Sequence, residues 1–503
     1  MIDSKKTIIQ LDKETIVLDE LSIIDEVGSA NKNQIELTGA REETAIGFGS
    51  PLIMINAYMV RNIGFFRLDL TDRIPQLMFR FTPEDESFLY TSYPKDGDVV
   101  CLYIRATSEL YKPIRMDMLV TEVLSHFSTS TIPEDAANGA GASFTIKAQM
   151  RIPSIFQHAS KSYIGKTSFE TLREIAKDLG LGFASNEKST DDRMNWICPG
   201  KTYYKFIEDI CNSSWLGEED FFDWWIDQYY VLNFVNLRKQ LLEKSKDETK
   251  ILAAIGTENG ISGGLDGNTK PSEIAMPLLI TNDPFYRKYP FFITNYSVKN
   301  LSGHITNNFG YSRDLEFYDT RLVSDKPINK FVSYNVEYVT QKRLDPSSIL
   351  FKGRANEDVY KKETKKTWVG TQYGENQHKN IQQASVQNRI NRYENFKVYL
   401  ETKMYSFVPW VYRGQTVPTR IVHMEPLQAY ANSVESKQNP PIDASQHQAG
   451  KKVDNKFLSG VYMIMGSYIE YIDGRITQSF VMGKREWLIN DGRGSDPGPK
   501  VSK

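Results

Sequence analysis

At 503 residues, with 61 basic against 63 acidic side chains, the chain is too long for one typical core and has no global charge bias, which excludes a broad nucleic-acid footprint or a polybasic membrane surface. Hydrophobic residues make up 40%, enough to bury substantial cores, yet no apolar run approaches the ~20 residues that cross a bilayer as a helix. Cys101, Cys198 and Cys211 lack C-x-x-C spacing, so they read as reduced, buried thiols rather than a disulfide framework or a zinc knuckle.

The chain opens on MIDSKKTIIQLDKETIVLDE, charged throughout and without the apolar centre of a secretory signal, which points to synthesis in a cytoplasm. The segments IGFFRLDL, QLMFRF, DVVCLYIRA, RMDMLVTEV and SFTIKAQM then carry the short alternating or fully apolar patterns of strands. Turn-forming TPEDES, YPKDGD and PEDAANGAGAS separate them. Residues 1–155 are therefore expected to form a first antiparallel β domain, barrel or sandwich, with an N-terminal extension.

Residues 156–245 change character to helix, helix, hairpin. Thr167 to Glu170 has the T-x-x-E spacing of a capping box, Phe169, Leu172, Ile175, Ala176 and Leu179 share one helical face, and Gly180 can close the helix in a left-handed conformation. A polar stretch, DDRMNWICPG, leads to a second helix capped by Thr202, with Tyr203, Phe206, Ile207 and Ile210 on its apolar face. FFDWWIDQYYVLNFVNL then predicts a β-hairpin, because both arms are rich in aromatic and β-branched residues.

Residues 246–275 are polar and glycine-rich and predict a linker or surface loop. A second β region is expected over 276–345 and 396–490, with the clearest hairpin from Gly460 to Trp487 turning at Asp473-Gly474. It is interrupted by polar insertions at 346–395 and 431–456, expected outside the core, and followed by a flexible tail at 491–503. The fold class is α+β, mainly β.

Catalytic chemistry finds no foothold. None of the 6 histidines stands in H-E-x-x-H spacing, no glycine cluster completes a phosphate loop, and no G-x-S-x-G elbow occurs. Glu218, Glu219, Asp220, Asp223 and Asp227 could in principle supply the facing carboxylates of a glycosidase, but a solvated turn with Asp223 and Asp227 on one outward strand face is the simpler account. No catalytic, cofactor-binding or metal-binding residue is assigned. On a strand, Trp224 and Trp225 point to opposite faces, so either one enters a core while the other meets a neighbouring domain or subunit, or both are buried within one large domain; with Tyr229 they are the candidate interface residues.

The chain resembles the baseplate central hub proteins of contractile-tailed phages, a group that includes the T-even hub and, more distantly, the late control gene D proteins and the N-terminal part of VgrG spikes. The resemblance lies in TSFETLREIAKDLGLGF, NWICPGKTYYKFIEDI and FFDWWIDQYYVLNFV, in GDVVCLYIR with RMDMLVTEV, and in FLSGVYMIMGSYIEY with QSFVMGKREW. It implies two tail-tube-like antiparallel β-barrel domains joined by a small α/β module, and a homotrimer whose six barrels match a sixfold tail tube. The implied role is a non-enzymatic virion structural protein of the tail baseplate, with no cofactor. Its implied partners are copies of itself, a central spike, tube-initiating or tape-measure proteins, and DNA only as it passes through the channel. A tail-associated cell-wall hydrolase and a receptor- or carbohydrate-binding β protein are the alternatives.

Overall fold

The computed structural model describes most of residues 51–242, together with 291–301, 376–404, 412–424 and 458–484, and isolated strands at 23–24, 252–256, 312–319, 329–333, 365–372 and 452–454. Beyond β1 (Ile23–Ile24), the first β region contains β2 (Leu52–Ile55), β3 (Tyr58–Val60), β4 (Ile63–Asp69), β5 (Gln76–Phe81), the short helix α1 (Ser87–Thr91), β6 (Val99–Ile104), β7 (Ile114–Phe127) and β8 (Ala142–Met150). Strands β4 to β8, β2 and β3 pair antiparallel in the order β4-β5-β8-β7-β6-β2-β3. The period-2 pattern sets the buried face. Leu77, Phe79 and Phe81 of β5 and Phe144, Ile146 and Ala148 of β8 all turn inward.

The middle region contains β9 (His158–Lys166), α2 (Ser168–Asp178), β10 (Gly182–Ser185), β11 (Met194–Thr202), α3 (Tyr203–Ser213), β12 (Phe222–Ile226), β13 (Val231–Asn236) and α4 (Leu237–Leu242). Both expected helices start as their sequences dictate. The Thr167 hydroxyl accepts the Glu170 amide at 3.2 Å while the Glu170 carboxylate accepts the Thr167 amide at 3.0 Å, and the Thr202 hydroxyl accepts the Lys205 amide. Gly180 lies at φ +69°, where a Cβ is strained. The polar stretch before α3 departs from expectation: much of it is strand β11, paired antiparallel with β9 through Trp196 opposite Tyr163. Their inward side chains Tyr163, Trp196 and Cys198 cover the helices, a contact between segments distant in sequence that local pattern does not reveal.

The C-terminal part contains β14 (Leu252–Gly256), β15 (Phe291–Phe292), β16 (Asn295–Asn300), β17 (Ser312–Asp319), β18 (Asn329–Ser333), β19 (Lys365–Gln372), α5 (Ile381–Asn395), β20 (Val398–Met404), β21 (Thr416–Met424), β22 (Lys452–Asp454), β23 (Gly460–Ile472) and β24 (Arg475–Lys484). The β23–β24 hairpin pairs Ile472 with Arg475, the register expected for a turn at 473–474. Two expectations change here. The segment expected to be a linker contains β14, which pairs parallel with β21. The polar insertion that ends at 395 contains α5, whose Gln387, Asn388 and Asn391 are buried. The insertion at 431–456 lies outside the described residues apart from β22, as do the tail at 491–503 and almost all of the N-terminal extension.

The two β regions are one sheet. β23 pairs along one edge with β24 and along the other first with β21 and then with β4, Tyr468 lying opposite Asp69 and Ile472 opposite Phe65. Charge supports the seam: Arg67 of β4 lies opposite Glu470 of β23 and stacks 4.0 Å over Tyr468. Among the described residues this large sheet runs as an open path, so the protein is mainly β without a closed barrel being formed there. No helix among them is long and apolar enough to cross a membrane.

A buried apolar cluster extends from Ile53 through the first β region and the middle region to Phe234, and takes in Ile469 of β23. It crosses the boundary expected at residue 155. Where β23 passes the turn after β4, a Cβ on Gly466 would stand 2.5 Å from the Thr71 Cα, and the Leu70 amide donates to the Ser467 carbonyl at 2.8 Å. Substituting Gly466→Ala forces backbone apart at the seam and is expected to destabilise the protein by about 1–3 kcal/mol, the usual cost of overpacking. Urea denaturation of the variant checks this, and an unchanged midpoint would show that the seam yields freely.

Candidate functional site: the buried Asp223 cluster

Asp223 lies on β12, in the turn-rich stretch where solvent exposure was expected, but only 3% of it is accessible. The correction has a simple cause. Alternation along β12 places Asp223 and Trp225 on the face away from the main core, as the sequence predicts, but that face is covered by α5 and the second β region. Three guanidiniums converge on the carboxylate. Arg73, from the turn after β4, donates to Asp223 Oδ1; Arg392 of α5 donates to the same oxygen at 2.7 Å; and Arg413, from the turn before β21, approaches Oδ2 at 3.5 Å.

Each arginine also donates to main-chain carbonyls. Arg73 reaches Trp224 O, Arg392 reaches Phe222 O at 2.9 Å, and Arg413 reaches Thr71 O and Asp72 O at 2.9 and 2.8 Å. Two tryptophans flank the cluster, with Arg73 5.3 Å over Trp224 and Arg413 4.8 Å over Trp225. Four segments far apart in the chain thus meet at one side chain.

Burial by itself would raise the Asp223 carboxyl pKa, but Arg392, Arg73 and Arg413 outweigh that and hold it far below the usual carboxylate range. For Arg413 the balance is reversed. Burial, with repulsion from Arg73 and Arg392, brings it down to about 10 despite the attraction of Asp223. The cluster therefore stays ionised at neutral pH, with more positive than negative charge.

The candidate interface residues are all buried within this chain. Trp224, 1% exposed, belongs to the main core with an edge-on contact to Tyr204, whereas Trp225, 4% exposed, packs with Phe221, Val235, Phe396 and Met463. Trp225 thus meets the second β region of its own chain. Tyr229, 7% exposed, sits in a small cluster with Ala184 and Val231. Asp227 does not face Asp223 as a second catalytic carboxylate would; it accepts the Tyr229 and Val231 amides at 2.9 and 3.1 Å and shapes the hairpin turn. Nothing in the local sequence singles out Arg73, Arg392 or Arg413. A basic residue within a short turn or a polar helix is ordinary, and only the fold brings these three together. Among the described residues no group of three or more His, Cys, Asp or Glu could hold a metal ion.

Comparison with protein-family models yields no match, and comparison with curated proteins yields none either. Solved structures that resemble the chain are phage tail proteins and type VI secretion components. A tail protein from Neisseria meningitidis MC58 is 12% identical, with 88% of this chain and 98% of that one covered and a TM-score of 0.47. The 43 kDa tail protein of prophage MuSo2 from Shewanella oneidensis is 7% identical over 86% of this chain and 98% of its own, also with a TM-score of 0.47. An E. coli component of the type VI secretion system, described as structurally similar to T4 bacteriophage tail proteins, is 10% identical over 87% of this chain and 79% of its own, with a TM-score of 0.38.

Removing the carboxylate strands three partly buried cations. Asp223→Ala is expected to cost about 3–5 kcal/mol, the range for breaking one partner out of a buried ion pair. The pH dependence has a definite sign. A carboxylate depressed in the folded state contributes stability above its unfolded value of 3.8 and loses it as pH falls through the folded value. The stability difference between the unaltered chain and Asp223→Asn should therefore be flat from neutral pH down to about 5 and shrink only below about 4. Urea midpoints across that range check it, and a difference that fades between pH 7 and 5 would contradict the assignment.

Proposed function

We propose that this chain is a virion structural protein, a homotrimeric hub of a phage tail baseplate. It adapts a threefold central spike to a sixfold tail tube and lines part of the DNA channel. The observation that carries this reading is the β4–β23 seam. It joins two β regions of one chain into a continuous sheet, while the middle region and the Asp223 cluster brace them from the side. A subunit contributing two β units to a ring must hold them at a fixed mutual angle, and strand pairing with a buried ionic brace supplies that rigidity. Closure of each β region into a tube-like barrel belongs to the same proposal.

The segments that carry the resemblance to hub proteins occupy the elements such a subunit needs: α2, α3 and the β12–β13 hairpin form the brace, and β23–β24 forms the second half of the seam. The partners are two further copies of the chain, a central spike below and a tube-initiating or tape-measure protein above, with DNA in passage only. The protein is made in the host cytoplasm and ends in the virion. Cell-wall hydrolysis would need facing carboxylates, and Asp223 and Asp227 are committed to an ionic cluster and a turn.

Sedimentation of the purified chain, alone and mixed with its spike, tests the proposal. A three-chain species that electron images show as a ring with a central opening is the expected result. A chain that stays monomeric at high concentration even with the spike present would sink it.

A further inference from the structure

Among the described side chains of helix α5, polar groups make most of the bonds to the middle region. Gln387 Nε2 donates to Gly217 O and Asp220 O at 2.7 and 2.9 Å, Asn388 Nδ2 donates to Asn212 O and Ser214 O at 2.9 Å each, and Asn388 Oδ1 accepts the Phe222 amide at 3.0 Å. Arg392 completes the C-terminal half through Asp223. Bonds of this kind can be exchanged for water when the helix lifts, whereas a large apolar face cannot. Among its described side chains the buried apolar ones are Ala384 and Val386.

The N-terminal fastening is different, because it can titrate. His378 stands just ahead of α5 and is 7% exposed. Its Nε2 lies 3.0 Å from the carbonyl of Ser213 at the end of α3, so Nε2 carries the proton and donates. Its Nδ1 is buried with no hydrogen-bond partner among the described residues. The elements packed around the ring are α3, which gives the Ser213 carbonyl; β11, whose Trp196 ring lies 6.4 Å away; and the segment before β11, which carries Asp191 and Asp192.

Neither acid offers Nδ1 a hydrogen bond. Asp192 already accepts from Ser168 N at 2.8 Å, Thr190 Oγ1 at 2.7 Å and Trp215 N at 3.0 Å. Burial disfavours the charged ring more than Asp192, Ser213 O and Asp191 favour it, so the His378 pKa is lowered from its ordinary 6.5.

We propose that His378 is an acid-released pin for α5: a proton arriving at its buried, unpartnered Nδ1 ejects the ring and frees the N-terminal half of the helix. The neutral ring belongs to the docked state and the charged ring to the undocked one. Docking is thus fully supported above about pH 6.5 and weakens progressively as pH falls from there to the lower value of the docked state. The C-terminal half, held by an Asp223 that stays ionised, remains as a hinge.

Hydrogen–deuterium exchange of the full chain, corrected for intrinsic rates, reads this directly. Between about pH 7.5 and about pH 5, amide protection in α5 should hold down to about pH 6.5 and then fall by up to ~10-fold per unit until the lower docked-state value is reached, while protection in α2 holds. In His378→Gln, whose amide can still donate to Ser213 O, that pH dependence should vanish. An equal loss of α5 protection in His378→Gln, or none in the unaltered chain, overturns the proposal. Should the variant fail to fold, the unaltered chain decides alone. A one-proton midpoint below 6.5 confined to α5 supports the pin, and a flat profile or joint loss from α2 and α5 refutes it.

Discussion

The structure depends on one carboxylate. Asp223 draws in Arg73 from the first β region, Arg392 from α5 and Arg413 from the second β region, and each guanidinium also donates to backbone carbonyls at the junction. A buried ionic cluster contributes little net stability compared with a well-packed apolar substitute, because desolvation offsets most of the attraction. Its distinctive effect is geometric. Apolar surfaces slide over one another at small cost, but a carboxylate that accepts from three planar guanidiniums allows one arrangement of the segments that carry them. The tryptophans on either side, Trp224 in the main core and Trp225 against Phe396 and Met463, keep water from loosening the contact.

Local physics was legible in the sequence. The Thr167 capping box, the Thr202 cap, the left-handed Gly180 and the β23–β24 register all follow from residue types at fixed spacing, and all are present. The opposite-face placement of Trp224 and Trp225 follows from the two-residue period in the same way. What was not legible is which faces find a cover. Period alone says that Asp223 and Trp225 share a side; it does not say that α5 and the second β region will close over it. Hence a carboxylate expected in water lies buried among three arginines.

Polarity misled in a second way. The IQQASVQNRINRYEN helix and the LAAIG strand were hidden inside stretches whose overall composition is that of loops. Composition measures whether a segment can drive burial by itself, not whether a preformed neighbour can accept it. Asn388 and Gln387 are buried because α3 and the turn after it present carbonyls that can accept from them at their height. A sequence carries no local trace of such complementarity, since donor and acceptor lie more than 150 residues apart.

The seam between β4 and β23 also has a consequence in time. Its partners are separated by roughly 400 residues, so the edge of β4 cannot be capped until all the intervening chain and β23 have been synthesised. At ~5–20 residues per second that leaves the edge uncovered on the ribosome for roughly 20–80 s. During that interval an apolar strand with free amides and carbonyls is open to the nascent chains on neighbouring ribosomes. The β23–β24 hairpin therefore both forms the seam and ends the period in which the β4 edge is open to mispairing.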